Sequence, residues 1–362
     1  MSGVTVRRPP LLAAVVLSAC VGLVGGSLAA WAIYARFGPV ERVVTQLAPA
    51  QGSGPGSAQS VAQVAQAAAA SVVEIGTKPT DTQSLLSGTT QLVDGFVVSS
   101  DGLVITSIHA IRGATTLRVA TPDGHAYDAT VVLSDPAHGI ALLRASGAQQ
   151  LTPLSFTTQP AVPGDAAIAV AREPFAGVTL STGTVSSTGR QITLSDGEPA
   201  LKAVLTVDAT PDPRADGAPL VSGAGQVTGV VVDAGTAAPG LAALSAQAAA
   251  ALVRQATSGS QAGAATFGVS DYVIIDPATA AAAGLPPGAL VRSLDPTSPM
   301  AAAGIHAGDV VTAVNGVAID SAHPLDAVTM GLAPTQQVTV SVFADGTART
   351  ATVTVGTAPA GG

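Results

Sequence analysis

Five histidines and a single cysteine limit the chemistry open to this 362-residue chain. Cys20 stands alone, which excludes an intrachain disulfide and a cysteine-based zinc cage. His125, His138, His306 and His323 fall at no metal-ligand spacing, so neither a metal site nor a cofactor is expected. What remains is nucleophilic chemistry. That needs a hydroxyl to attack, an imidazole to take its proton, and a carboxylate to hold the imidazole in the right tautomer. His109 is the candidate imidazole, yet a lone histidine without further context reads as a structural residue.

The elements that would position such groups follow from composition. Hydrophobic residues make up 47% of the chain and charged residues 10%, which argues against intrinsic disorder. The formal charge is −8 and the only lysines are Lys78 and Lys202, so there is no basic face for nucleic acid. Aromatic residues are only 3%, leaving Val, Leu, Ile and Ala to pack the core, a composition that suits β-sheets.

No residue between Arg8 and Arg36 is charged. The apolar heart, Leu11 to Tyr34, exceeds the roughly 20 helical residues that a hydrocarbon core requires. It also outruns the 7–15 apolar residues of a cleaved signal. Leu17-Ser18-Ala19-Cys20 resembles a lipobox, but the residues after Cys20 remain membrane-like. A Gly/Ser/Pro-rich linker follows over Ala48–Ser57. From Ser71 the pattern becomes short apolar runs with turn signals between them, such as Ser100-Asp101-Gly102 and Asp123-Gly124. That pattern predicts a β-barrel or sandwich, closed by an Ala-rich helix over Ala242–Gln255. Separate strands are expected over Val178–Val185 and Gln191–Leu194. Beyond Ser258–Gly263 the pattern mixes strands with helix-like stretches at Ala278–Ala283 and Pro324–Met330, an α+β domain.

The stretch Gly95-Phe96-Val97-Val98-Ser99, leading into Thr106-Ser107-Ile108-His109-Ala110-Ile111, resembles the trypsin-like proteases of the HtrA family. Asp135-Pro136-Ala137-His138-Gly139-Ile140-Ala141-Leu142-Leu143 is similar to the family's Asp-Ile-Ala-Leu-Leu segment. Gly217-Ala218-Pro219-Leu220-Val221 is similar to the end of its nucleophile loop. Ser298-Pro299-Met300-Ala301-Ala302-Ala303-Gly304-Ile305 and Gly308-Asp309-Val310-Val311 resemble its C-terminal PDZ domain. The resemblance implies a mainly β protein: a trypsin-like double β-barrel, then an α+β PDZ domain, with one N-terminal transmembrane helix. The expected order is a cytoplasmic tail over 1–10, a signal anchor over 11–35 and a linker over 36–66. A protease-like domain over 67–256, a linker over 257–264 and a PDZ domain over 265–357 follow.

Position by position, the resemblance implies a degenerate triad. His109 matches the catalytic histidine, while the aspartate position falls on Gly139 and the nucleophile position on Asp216. Asp135 and His138 lie near in sequence, but at those offsets a strand points them elsewhere. The glycine expected two residues before the nucleophile is Arg214. His109 is then a remnant that packs or pairs with Asp216, and Asp216 is either that partner or a solvated loop carboxylate. In the PDZ-like part, Thr266-Phe267-Gly268-Val269 fits the carboxylate loop. Phe267 and Val269 would line the apolar pocket, with Leu325 and Val328 on the opposite helical wall. Gly268→Val is expected to abolish peptide binding without unfolding the domain.

The resulting expectation is a bacterial membrane protein with extracytoplasmic domains. It would be an inactive protease homologue that binds exported proteins or peptide C-termini through its PDZ domain. The alternative is an active HtrA-type endopeptidase in extracytoplasmic quality control.

Overall fold

Strands built from β-branched and small residues close into two six-stranded barrels, in a computed structural model that describes residues 60–79, 92–173, 177–194, 200–235, 238–257 and 264–358. The expected anchor over residues 11–35 lies outside the described residues. Among those that are described, no helix is long and apolar enough to cross a membrane.

Helix α1 (Val61–Ala69) enters through a capping box, in which Ser60 and Gln63 satisfy each other's backbone N–H groups. It buries Val64, Ala65 and Ala68 in the main apolar core. The folded body therefore begins before the expected linker boundary at residue 66. The first barrel takes β1 (Val72–Gly76), β2 (Leu92–Val97), β3 (Leu103–Ser107), β4 (Arg118–Ala120), β5 (Ala126–Asp135) and β6 (Ile140–Ala145). They close in the order β1-β2-β3-β6-β5-β4. Ser100-Asp101-Gly102 turns β2 into β3, with Phe96 opposite Ile105. Gly102 takes the left-handed φ of +97° that this turn requires. The four-residue helix α2 (Ile108–Ile111) follows β3 directly.

The second barrel takes β7 (Ala166–Glu173), β8 (Gly177–Ile192), β9 (Leu201–Val207), β10 (Pro219–Val221), β11 (Val227–Val232) and β12 (Leu241–Ser245). Their order is β10-β11-β12-β9-β8-β7. Two sequence expectations fail here. The separate strands expected over 178–185 and 191–194 are replaced by one strand, β8, ending at Ile192, because register shifts at Val185, Ser187 and Arg190 absorb the polar stretch instead of breaking it. The helix expected from Ala242 starts only at Ala246 (α3, Ala246–Thr257), since Leu241–Ser245 supplies the strand that closes the barrel. Every residue of β12 is buried, and a short apolar run buried throughout has no period to separate strand from helix.

The C-terminal domain pairs β13 (Ala265–Thr266) with β20 (Gly356–Thr357). Its main sheet runs β14 (Val269–Ile275), β15 (Gly288–Leu294), β16 (Val310–Val314), β18 (Gln337–Ala344), β19 (Thr347–Thr354), with β17 (Val317–Ala318) on β16. Helices α4 (Pro277–Ala283) and α5 (Pro299–Ala302) flank it. The helix expected over Pro324–Met330 is absent. Residues 327–331 form turns, with one α-type bond from Met330 N–H to the Asp326 carbonyl. Val328 and Thr329 are weak helix formers, and Gly331 and Pro334 end the run before a second turn can form.

A buried carboxyl joins the two barrels. Asp94 on β2 accepts the Arg172 backbone N–H of β7 at 3.1 and 3.3 Å, and it faces Glu74 across the ladder. Burial pushes the Asp94 carboxyl up to about 8, against the Arg172 N–H, with Glu74 adding to the rise. A raised carboxyl contributes most below its unfolded value near 4, and loses that contribution as pH climbs through about 8. Asp94→Asn keeps an oxygen for Arg172 without the charge. Melting curves of the variant should be flatter than wild type between pH 4 and 8, with a higher melting temperature at pH 8.

Candidate functional site

Ser107 ends β3 and caps α2. Its Oγ accepts the Ala110 N–H at 2.9 Å and donates to Asp216 Oδ1 at 2.6 Å. Two residues on, His109 Nδ1 lies 2.6 Å from Asp216 Oδ2. The His109 side chain is 35% exposed and that of Asp216 only 6%, so Asp216 is a buried partner and not a solvated loop carboxylate.

The loop that delivers Asp216 is tightly held. A 3₁₀ turn, Pro213–Ala215, precedes it, and Asp212 Oδ1 caps that turn by accepting the Arg214 backbone N–H at 3.0 Å. Gly217 follows at φ +90°, where a Cβ would lie 2.0 Å from the Asp94 carbonyl oxygen. Only glycine fits. The Asp216 carbonyl accepts the Asp94 N–H at 3.0 Å, and the Gly217 N–H donates to Val231. Arg214 itself reaches outward to Glu173 at 3.3 Å. Gly139 sits beside this centre, its carbonyl accepting the Ile108 N–H at 2.7 Å. Its φ is +68°, and a Cβ there would come within 2.8 Å of the Leu201 side chain.

The second set of candidate residues, 267–269 with Leu325 and Val328, opens the C-terminal sheet. Gly268, at φ +73°, donates its N–H to Thr266 Oγ1 at 3.0 Å, and its carbonyl accepts the Asp295 N–H. A Cβ on Gly268 would stand 2.2 Å from Ser298 Cβ. Gly268→Val therefore breaks the loop itself, which corrects the expectation of a variant that loses binding and nothing else. Phe267, Val269, Leu325 and Val328 are all buried, in one continuous core with Ile192, Leu201 and Val204 of the second barrel.

A third cluster was not legible as a site. His138 is fully buried, with Nδ1 at 2.7 Å from Asp135 Oδ2 and Nε2 at 3.2 Å from Asp326 Oδ2. The latter is an ion-pair approach whose angle falls short of a hydrogen bond. Burial alone would drive the ring neutral, but the Asp326 and Asp135 carboxylates outweigh it and lift His138 to about 10. Asp326 is held well below the usual carboxylate range: burial opposes this, and the imidazolium and the Thr329 N–H overcome it.

Residues 93–230 match the family of trypsin-like peptidase domains, and residues 261–355 match the PDZ domain. The probable periplasmic serine endoprotease DegP-like of Chlamydia pneumoniae is 34% identical over 138 residues, 38% of this chain and 27% of that protein. The mitochondrial serine protease HTRA2 of Bos taurus is 33% identical over 137 residues, 38% of this chain and 30% of its own length. Among solved structures, the HtrA-type protease AlgW with a tripeptide superposes with a TM-score of 0.58 at 23% identity, over 83% of this chain and 98% of that one. The serine endoprotease from Yersinia pestis gives 0.52 at 21% identity, over 84% and 99%. The chain is HtrA-like: a trypsin-like domain followed by a PDZ domain.

In this HtrA-like frame the structure brings His109 and Asp216 together and adds Ser107, which sequence reasoning missed. Its signal was present, since a serine just before a short helix is a cap candidate. Asp216→Ala should strand the Ser107 hydroxyl and remove the His109 contact. A loss of roughly 1–3 kcal/mol is expected, measurable by urea unfolding, because a buried hydroxyl is left without its acceptor.

Proposed function

We propose that this HtrA-like chain is a membrane-anchored pseudoprotease that holds exported proteins or peptide C-termini through its PDZ domain and does not cut them. The observation that carries this reading is the buried Asp216 carboxylate, at the place where the family's motif has its nucleophile. A carboxylate engaged by Ser107 and His109 offers no hydroxyl for acyl transfer. Ser107 is no substitute, since it is buried and its Oγ already serves Ala110 and Asp216. Loss of the nucleophile alone costs on the order of 10⁶ in kcat in other proteases.

Two further observations support the reading. The Arg214 N–H, which would have to point at a developing oxyanion, is spent on the Asp212 cap. One such donor is worth roughly 10²–10³ in rate. Gly139 offers no orienting carboxylate, and its left-handed φ disfavours acquiring one by about 1–2 kcal/mol before the clash with Leu201 is counted. Rebuilding the centre on paper, Asp216→Ser with Gly139→Asp, should give a less stable protein that remains inactive. Incubation with unfolded casein and a fluorophosphonate probe tests the whole reading: neither cleavage nor labelling is expected. A labelled serine would establish the active endopeptidase instead.

Peptide binding is supported by the PDZ match and by the place of β14 at the end of its sheet, where β15 is its only strand neighbour. The uncharged run between Arg8 and Arg36, and relatives named as periplasmic, support an anchor over 11–35 with both domains outside the cytoplasm. Protease shaving of intact protoplasts should remove both domains. Protection of both would reverse the topology.

A further inference from the structure

Strand β8 is paired on both sides along only part of its length. Over Gly177–Thr184 it has β7 on one side, and β9 joins the other side only from Val185 onward. The Arg172 N–H, opposite Val178, turns away to Asp94, so these two residues exchange no backbone bond. At the other end the Thr184 N–H and carbonyl both meet Asp208, on the side away from β7. Bonding alternates along an antiparallel strand, so the N–H and carbonyl of Val178, Leu180 and Thr182 also point away from β7. Among the described residues nothing pairs with them. Their side chains share one face, with Val178 41% and Leu180 45% exposed and Thr182 exposed as well.

Proteins blunt an edge of this kind with a charge or a proline, because it otherwise pairs with another strand. From Gly177 to Gly189 this sequence has neither. The available stretch begins at Gly177, where β8 starts, and stops where Asp208 takes Thr184. It is centred on Leu180. A second copy of the stretch, laid antiparallel, uses every outward group in one register, with Leu180 against Leu180 and Val178 against Thr182.

We propose that two copies of this chain pair through β8, antiparallel about a two-fold axis at Leu180, so that their second barrels share one continuous sheet. Each of the three residues would donate its N–H to its opposite in the other copy and accept one in return. The contact is isologous and closes on itself as a dimer. Leucine meets leucine, valine meets threonine, and no like charges face each other. A strand of another protein would gain the backbone bonds without this match of side chains. The patch is small beside the roughly 800 Å² that each partner of a stable complex buries, so the dimer is weak in dilute solution. It is independent of whether the chain cuts proteins or binds peptides.

Disulfide trapping on the full-length protein in detergent tests both the pairing and its register. Cys20→Ser first removes the one native thiol. Opposed Leu180 Cα atoms would stand about 5.5 Å apart, within disulfide reach. Leu180→Cys should therefore link into dimers at least tenfold faster than Val317→Cys, a position equally exposed at 45% on the C-terminal domain. Val178→Cys should link to Thr182→Cys when the two are mixed, and only slowly to itself. With the native sequence, sedimentation at rising concentration should shift toward dimer. Leu180→Lys, which sets two like charges face to face, should stay monomeric with an unchanged melting curve. Linking of Leu180→Cys no faster than that of Val317→Cys, in a variant that melts like the parent, overturns the pairing. Equal self-linking of Val178→Cys overturns the register. Uptake of an added unfolded chain at this edge by a protein that stays monomeric overturns the second copy as occupant.

Discussion

Gly217 meets the Asp94 carbonyl so closely that no side chain is tolerated there, and that contact fixes the loop on which Asp216 rides. The first barrel supplies Asp94, Ser107 and His109. The second supplies the loop, through the cap at Asp212 and the bond from Gly217 to Val231. Once the backbone is held this way, the Asp216 side chain is buried between the barrels and must be satisfied there. Ser107 and His109 satisfy it with one donor per oxygen. The loop thus carries a structural carboxylate, held by two first-barrel side chains, and the contact acts as a joint between the barrels.

Polar groups at domain joints follow the same rule throughout. Asp94 tolerates burial by giving up its charge to become a neutral acceptor for Arg172. His138 takes the opposite course, keeping its charge because two carboxylates surround it. The difference is one of partners. Asp94 has an amide and a nearby acid, whereas His138 has acids on both faces.

Much of this was legible in the sequence, and what was not has a physical reason. The Ser100-Asp101-Gly102 turn and the motif around His109 identify the first barrel because turn chemistry is local. The pairing of His109 with Asp216 could be named as one option, since the motif order brings the two loops together. Strand β12 was misread because alanine and leucine buried on both faces carry no period. The wall around Leu325 was misread as a helix because an apolar spacing of three residues does not reveal that Gly331 and Pro334 stop it early. Asp326 and Lys202 were invisible as partners of His138 and Val269, because a contact between domains leaves no pattern in either one.

The scarcity of aromatic residues has a practical side. Trp31, the one tryptophan, lies in the apolar run near the N-terminus, while the described residues hold just two tyrosines, Tyr127 and Tyr272. Tyr127 stacks on His125, and Tyr272 lies buried on β14 with Gln191 of the second barrel beside it. A tyrosine signal from the described domains is thus shared by two rings, one of them at the seam between domains. Tyr272 is a built-in chromophore for that seam, able to report on it without any added label.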